Sequence, residues 1–254
     1  MKDRIISHVA AVCRTRLLAN AEVMTYLRDE RRLSDDTIEQ FELGLFPQDL
    51  RELFTKIPAQ SLREAGVIRN ATSSVFQTWD LIMPLRDVRG KVVALAGRTR
   101  LSPKARGKRA LPKYMNTVYA KTNHLFGLYR AKRAILRSGI VYVVEGYFDV
   151  MTAHQAGIRN VVACCGTAFS RRQMALLARY AKNVTLLFDN DTAGQDSART
   201  HVERKQCDEV KLSAINPFPA DIKDVDEFLS VRSATDFLRL LNQEDGYADI
   251  EPMW

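Results

Sequence analysis

Four carboxylates stand where apolar runs stop. Ile140-Val141-Tyr142-Val143-Val144 ends at Glu145, and Asp149 follows four residues on. Val184-Thr185-Leu186-Leu187-Phe188 ends at Asp189, and Asp191 follows two residues on. A short continuous apolar run bounded by turn residues reads as a buried strand. In an open parallel sheet, ligands bind outside the carboxyl ends of the strands. Glu145, Asp149, Asp189 and Asp191 are therefore expected on one edge of one sheet. Carboxylates held that close repel one another unless a cation joins them, and hard oxygen donors suit Mg²⁺ or Mn²⁺. Downstream, Asp221-Ile222-Lys223-Asp224-Val225-Asp226-Glu227 adds a second Asp-x-Asp pair, Asp224 and Asp226. Separated acidic elements of this kind could hold two ions about 4 Å apart, which activate an attacking oxygen and stabilise a leaving one in phosphoryl transfer. Singly, each acid reads as a helix cap or a solvated surface group. Joint placement at strand ends is what points to chemistry.

The elements that must position these acids follow from periodicity. From Gly139 onward, strand-like runs at 140–144, 160–165, 183–188 and 209–215 alternate with helical segments at 147–156, 170–181 and 192–206. Such alternation implies βαβ units and a parallel sheet. Upstream, residues 1–45 read as helical, with Asn20 and Ser34 as N-caps and the third helix ending at Gly44. Further helix is expected over 49–66, interrupted at Pro58. Val75-Phe76, 81–85 and 91–97 are strand-like, and Asp87-Val88-Arg89-Gly90 forms a hairpin turn between the last two. Residues 102–109 read as a basic loop with two breakers, mobile until it meets an anion. A helix over 129–137 leads into the first strand of the sheet. The expected fold is α/β: a parallel-sheet domain over 138–230, a basic α+β subdomain over 1–137 before it, and a helical tail over 231–254.

Charge is unevenly placed. The chain carries a net +8, yet residues 86–137 hold 15 Lys and Arg against a single acid, Asp87, and the remainder is net acidic. A basic block beside an acidic cluster is the pattern of a protein that holds a polyanion against a metal site. A solvated basic face is the plainer alternative. No apolar run approaches the roughly 20 residues of a membrane helix, and the first residues lack a signal-peptide core. A cytoplasmic location and no membrane partner are expected. The cysteines, Cys13, Cys164, Cys165 and Cys207, form no C-x-x-C pair and have no histidine at zinc-ligand spacing, so no structural zinc is expected.

Glu145-Gly146-Tyr147-Phe148-Asp149-Val150, Gly166-Thr167 after the second strand, and Asp189-Asn190-Asp191-Thr192-Ala193-Gly194 resemble a Toprim domain. That is the catalytic fold shared by bacterial-type primases, topoisomerases and some nucleases. The upstream motifs resemble those of DnaG-type primases. Tyr26-Leu27 with Arg31-Arg32-Leu33-Ser34 is similar to Y-L-x-x-R-G-L-S. Pro84-Leu85-Arg86-Asp87-Val88-Arg89-Gly90 is similar to P-I-R-D-x-x-G, and Ala96-Gly97-Arg98 to G-G-R. Pro112-Lys113-Tyr114-Met115-Asn116 is similar to P-K-Y-L-N, Phe126-Gly127-Leu128-Tyr129 to L-Y-G-L, and Lys223-to-Leu229 to K-D-P-D-E-F-L. The motifs keep the family's order over roughly residues 20–230.

The resemblance implies template-directed synthesis of short RNA primers on single-stranded DNA, by two-metal nucleotidyl transfer from ribonucleoside triphosphates. It makes Glu145, Asp149, Asp189 and Asp191 the catalytic acids. It places Glu145, Asp189, Asp191, Asp224 and Asp226 where the family binds Mg²⁺ or Mn²⁺. Arg98, Lys113, Asn116 and Lys121 fall where the family holds nucleotide phosphates or template, and Arg31 falls at a further basic position. Two departures are visible: Arg32 replaces a glycine, and Val225 replaces the proline of D-P-D. Family members usually begin with a zinc-binding domain and end with a helicase-binding domain. This sequence shows neither such a cysteine–histidine pattern nor that length, so two expectations stand: a polymerase core served in trans by a zinc-domain protein and a replicative helicase, or a core whose activity and start-site choice have changed. The alternatives are a Toprim nuclease or topoisomerase-like enzyme, and a non-catalytic DNA-binding module of a replication complex. No nucleophilic tyrosine stands out for a topoisomerase.

Overall fold

The computed structural model describes residues 2–165, 169–204 and 210–245, with side chains as far as 242. Gly166-Thr167, Cys207 and the end of the tail lie outside the described residues. The chain forms two compact units, Met1–Tyr119 and Ala120–Trp254. This division falls earlier than the expected 137/138 boundary. Residues 120–137 find their partners in the second unit, where Phe126 and Ala163 exchange backbone hydrogen bonds of 2.9 and 3.0 Å.

The first unit is α+β. Helix α1 (Lys2–Leu18) buries Ile6, Val9, Cys13 and Leu17 along one face. Ile6, Val9 and Cys13 of that face pack into a core with Leu53, Leu62, Phe76, Trp79, Ile82 and Leu95. Helix α2 (Ala21–Thr25) is capped by Asn20, whose side chain accepts from the Val23 N–H at 2.9 Å. It runs into a π-helical turn, Tyr26–Glu30, closed at Arg31. Ser34 caps α3 (Asp35–Gln40) through the Thr37 N–H. Gly44 does not end that helix, as its residue type suggests, but opens strand β1 (Gly44–Leu45). A Cβ there would stand 2.6 Å from Cys13 Cβ, so the residue is small to let the strand lie on α1. Then come α4 (Arg51–Phe54), α5 (Ala59–Glu64), and a small hairpin of β2 (Ile68–Asn70) and β3 (Ser73–Ser74). Val75-Phe76, expected as strand, lies just past β3.

Strands β4 (Leu81–Arg86) and β5 (Val92–Arg98) pair antiparallel, and β6 (Tyr114–Asn116) adds to β5. The sheet order is β1-β4-β5-β6. The turn joining β4 to β5 is built as expected, with Asp87 Oδ1 accepting the N–H groups of Arg89 and Lys91 at 2.9 Å each. The basic segment after β5 is helical rather than loop: α6 (Pro103–Lys108). Ser102 caps it through the Ala105 N–H, and Pro103 takes the first turn, where proline's missing N–H costs nothing. Pro103 is thus a helix starter rather than a breaker. None of the α6 residues is buried.

Arg32 has a backbone φ of +54°, in the left-handed region. This is the position at which the DnaG-type pattern carries glycine. A side chain in that region costs about 1–2 kcal/mol, and glycine returns part of the gain as unfolded-chain entropy. Arg32→Gly is expected to raise stability by about 0.5 kcal/mol, read as a higher urea midpoint at unchanged slope.

The second unit opens with a 3₁₀ turn (Lys121–Asn123) and α7 (Leu128–Ser138). Then β7 (Ile140–Val144), α8 (Tyr147–Gln155), β8 (Val161–Ala163), α9 (Arg171–Leu177), β9 (Asn183–Leu186), α10 (Thr192–Glu203) and β10 (Lys211–Ala214) alternate, followed by α11 (Val225–Val231) and α12 (Ala234–Asp245). The four strands are parallel in the order β10-β9-β7-β8. All five residues of β7 are buried, as befits a central strand covered on both faces. Phe218, Phe228 and Phe237 cluster to hold α11 and α12 together, so part of the expected tail packs within this unit.

Candidate active site

The strand order decides where the acids meet. From β7 the chain crosses to β8 on one side, then returns to lay β9 on the other side of β7. Between β7 and β9 the connections diverge, and in open α/β sheets ligands bind at the carboxyl ends of strands at such a point. Glu145 follows β7 directly, and Asp189 follows β9. The Asp189 N–H donates to Glu145 Oε1 at 3.2 Å, closing the two strand ends on each other. Asp191 caps α10, its Oδ1 accepting the Gly194 N–H at 2.9 Å. Gly194 is pressed against this corner: a Cβ would stand 2.4 Å from the Asp189 carbonyl oxygen and 3.0 Å from Glu145 Oε1.

Asp149 is placed differently from the other three. It is buried in the first turn of α8. Its Oδ2 accepts the Gly146 N–H at 3.0 Å, and its Oδ1 accepts the Asp226 N–H at 3.0 Å. It thereby fastens the start of α11 to the start of α8. Asp226 in turn accepts from the Thr152 hydroxyl at 2.6 Å. Asp224 caps α11 through the Glu227 N–H at 2.8 Å. The second Asp-x-Asp pair is thus brought beside the first set.

Three contributors carry no chemical assignment in the sequence. Lys223 places its ammonium 2.9 Å from Asp189 Oδ2 and 3.6 Å from Asp191 Oδ2. Asn190 staples the loop before α11 to the site. Its N–H donates to the Lys223 carbonyl at 2.6 Å, and its side-chain amide donates to the carbonyls of Pro219 and Ile222. Thr152 supports Asp226. The signals that could find them are positional: Lys223 abuts Asp224, Asn190 separates two acids, and Thr152 lies three residues past Asp149 on one helix face.

Burial and like charge raise several of these acids. Glu145 is held above the usual carboxylate range by burial first and by Asp189 second. Asp224 is raised by burial, with Asp189 and Asp226 adding to it. Asp149 is raised most, by burial and then by Asp224. Lys223 is raised in turn, chiefly by its hydrogen bond to Asp189. Among the described residues no three His, Cys, Asp or Glu side chains converge closely enough to enclose a metal ion. The donor set is nevertheless all hard oxygen, and its accumulated negative charge is the deficit a divalent cation would offset.

A raised carboxyl binds its proton more tightly folded than unfolded. Asp149 should then favour folding in acid, and that contribution should fade as pH rises from the ordinary 3.8 through about 8. Asp149→Asn is expected to flatten this dependence in metal-free protein. Urea midpoints at about pH 5 and about pH 8 measure it. An unchanged slope in the variant would remove Asp149 as its source.

In the first unit, Arg98 and Tyr114 are cross-strand partners, and Asn116 pairs with Ala96. Paired residues and alternate residues share a face, so Arg98, Tyr114 and Asn116 lie on one face of the sheet. Met115 on the other face packs against the core. Arg98 donates to the Tyr114 hydroxyl at 2.9 Å, and Lys113 Nζ stands 5.6 Å from the same ring centre. Arg31 closes the π-helical turn, its N–H donating to the Tyr26 carbonyl at 3.1 Å. Several other charges of the basic block have structural partners: Arg86 binds both oxygens of Glu42, Lys91 pairs with Asp3, and Arg100 pairs with Asp80. In the second unit Lys121 opens the 3₁₀ turn, and its carbonyl accepts from Gln173 at 3.4 Å.

A parallel sheet carrying acids at its switch point is compatible with a Toprim-like domain, and residues 142–229 match the Toprim-like family. Residues 13–132 match the family described as DNA primase catalytic core, N-terminal domain. The chain belongs to the family of DnaG-type primase catalytic cores. The DNA primase of Synechococcus elongatus is 35% identical over 92% of this chain and 34% of its own length. A crystal structure of the Aquifex aeolicus primase, comprising zinc-binding and RNA polymerase domains, is similar at a TM-score of 0.82 and 29% identity, over 95% of this chain and 60% of that one. A DnaG primase catalytic domain bound to single-stranded DNA is similar at a TM-score of 0.80 and 27% identity, over 95% of this chain and 78% of that one. The chain spans about a third of the length of its Synechococcus relative.

Proposed function

We propose that this chain synthesises short RNA primers from ribonucleoside triphosphates on single-stranded DNA, as a DNA-directed RNA polymerase of the primase type. The observation that carries the reading is the set of acids at the β7/β9 switch point, in a chain of this family. Glu145, Asp189 and Asp191 would hold divalent cations, with Asp224 and Asp226 beside them. Mg²⁺ or Mn²⁺ bound there supplies activation of the attacking 3′-hydroxyl and neutralises charge on the α-phosphate and the leaving pyrophosphate. Asp149, with both oxygens taken by backbone N–H groups, positions the second acidic pair. Arg98, Lys113 and Lys121 neutralise the triphosphate or the template, and Asn116 orients it. Arg31 and the exposed cations of α6 follow template phosphates, giving salt-sensitive binding with little sequence information. A replicative helicase and a zinc-domain protein are proposed as partners, and the cytoplasm as the place of action. Among the described residues, no helix is long and apolar enough to cross a membrane.

The test is incubation with labelled single-stranded DNA, four ribonucleotides and Mg²⁺ or Mn²⁺. Ladders of short RNA are expected. Shortened DNA would point instead to a nuclease. DNA binding without product, unchanged by loss of Glu145 and Asp189, would reduce the chain to a binding module.

A further inference from the structure

Lys223 is set on the acidic edge by its backbone rather than by chance of rotamer. Its N–H donates to Glu227 Oε2 at 2.7 Å, and its carbonyl accepts from the Asn190 N–H at 2.6 Å. With both ends of the residue tethered, the side chain reaches across to Asp189 and Asp191, at 2.9 and 3.6 Å. These are two of the three carboxylates read above as cation-binding. Among the described residues, Lys223 makes the ion pairs to these acids.

We propose that Lys223 is a built-in counter-ion that divalent cations must displace, and that it thereby sets the metal affinity of the site. The inference rests on the reading of Glu145, Asp189 and Asp191 as cation-binding acids. An ammonium within hydrogen-bond distance of Asp189 Oδ2 occupies lone pairs that a metal needs, and its unit charge repels a divalent ion a few ångströms away. Without metal, the same charge keeps the clustered acids from driving the strand ends apart. Displacement is easy because the side chain is 52% exposed on a flexible stem and can swing into water. A pair this exposed resists weakly. The site therefore passes from one internally compensated state to another, and metal-free protein keeps its shape.

The test is equilibrium binding of Mn²⁺ to the 254-residue chain at low ionic strength, read from the electron paramagnetic resonance signal of free Mn²⁺. Lys223→Met is expected to bind Mn²⁺ on the order of tenfold more tightly than the wild type, after allowance for solvent screening. Lys223→Arg, which keeps the charge, is expected to stay within about twofold. Thermal melts in chelator give a second reading: Lys223→Met should melt lower than the wild type without metal and gain more from Mn²⁺. If Lys223→Met is too unstable to purify, Lys223→Gln, with its polar tip, answers the same question. Equal Mn²⁺ affinity in the charge-removing variants and the wild type would overturn the proposal while leaving the metal site standing. No Mn²⁺ binding by the wild type or by either variant would overturn the metal reading itself.

Discussion

Asp189→Asn is expected to lower primer synthesis by at least about 100-fold while leaving the protein folded. An outer partner of a metal ligand, when removed, typically costs about 10–100-fold, and Asp189 is read as a ligand itself. The substitution keeps size and shape. The Asp189 N–H still donates to Glu145 Oε1, and Gln195 still donates to the Asp189 carbonyl, because both hydrogen bonds use backbone atoms of Asp189. What goes is one negative charge and one hard oxygen. The ion pair with Lys223 goes with them, but Lys223 is half exposed and the pair contributes little to stability. A thermal midpoint near that of the wild type, with primer ladders abolished in both Mg²⁺ and Mn²⁺, is the expected pair of results. Full ladders from the variant would sink the metal assignment.

Gly194→Ala is expected to do comparable damage without touching a charge. The added methyl would lie 2.4 Å from the Asp189 carbonyl oxygen and 3.1 Å from the Asp189 nitrogen. Those are backbone atoms and cannot rotate away, so the start of α10 must retreat. Asp191 sits at that start and would move with it. Displacements near 1 Å at a reacting centre can cost about 100-fold, and overpacking of this kind costs about 1–3 kcal/mol of stability. The measurements are primer yield per folded molecule and the urea midpoint. A variant with normal activity would mean that α10 can shift without disturbing the acids.

Much of the second unit is legible in the sequence because its signals are local. Continuous apolar runs with abrupt acidic ends mark β7 and β9, and the helices between them follow from length and spacing. The caps at Asn20 and Ser34 are readable for the same reason, since a cap joins near neighbours. Two positions mislead. Pro103 has the residue type of a breaker, although Ser-Pro is also a helix start, and α6 follows from that. Gly44 has the residue type of a helix end. Its smallness answers instead to Cys13, a residue of α1 far along the chain that no local pattern reveals.

Residue types and spacing by themselves determined that several hard carboxylates end strands of a parallel sheet and that a basic region precedes them; the primase order of the motifs came from their resemblance to the DnaG-type family. That much is encoded in neighbours and periodicity. Only the tertiary structure decided which strand ends adjoin. The order β10-β9-β7-β8 puts Glu145 against Asp189 because β8 is laid on one side of β7 and β9 on the other. Strand order is a long-range choice that the sequence of any one strand does not carry. The same holds for Asp149, whose carboxylate fastens α11 to α8. It holds also for Lys223, whose meeting with Asp189 depends on Asn190 drawing a distant loop to the sheet.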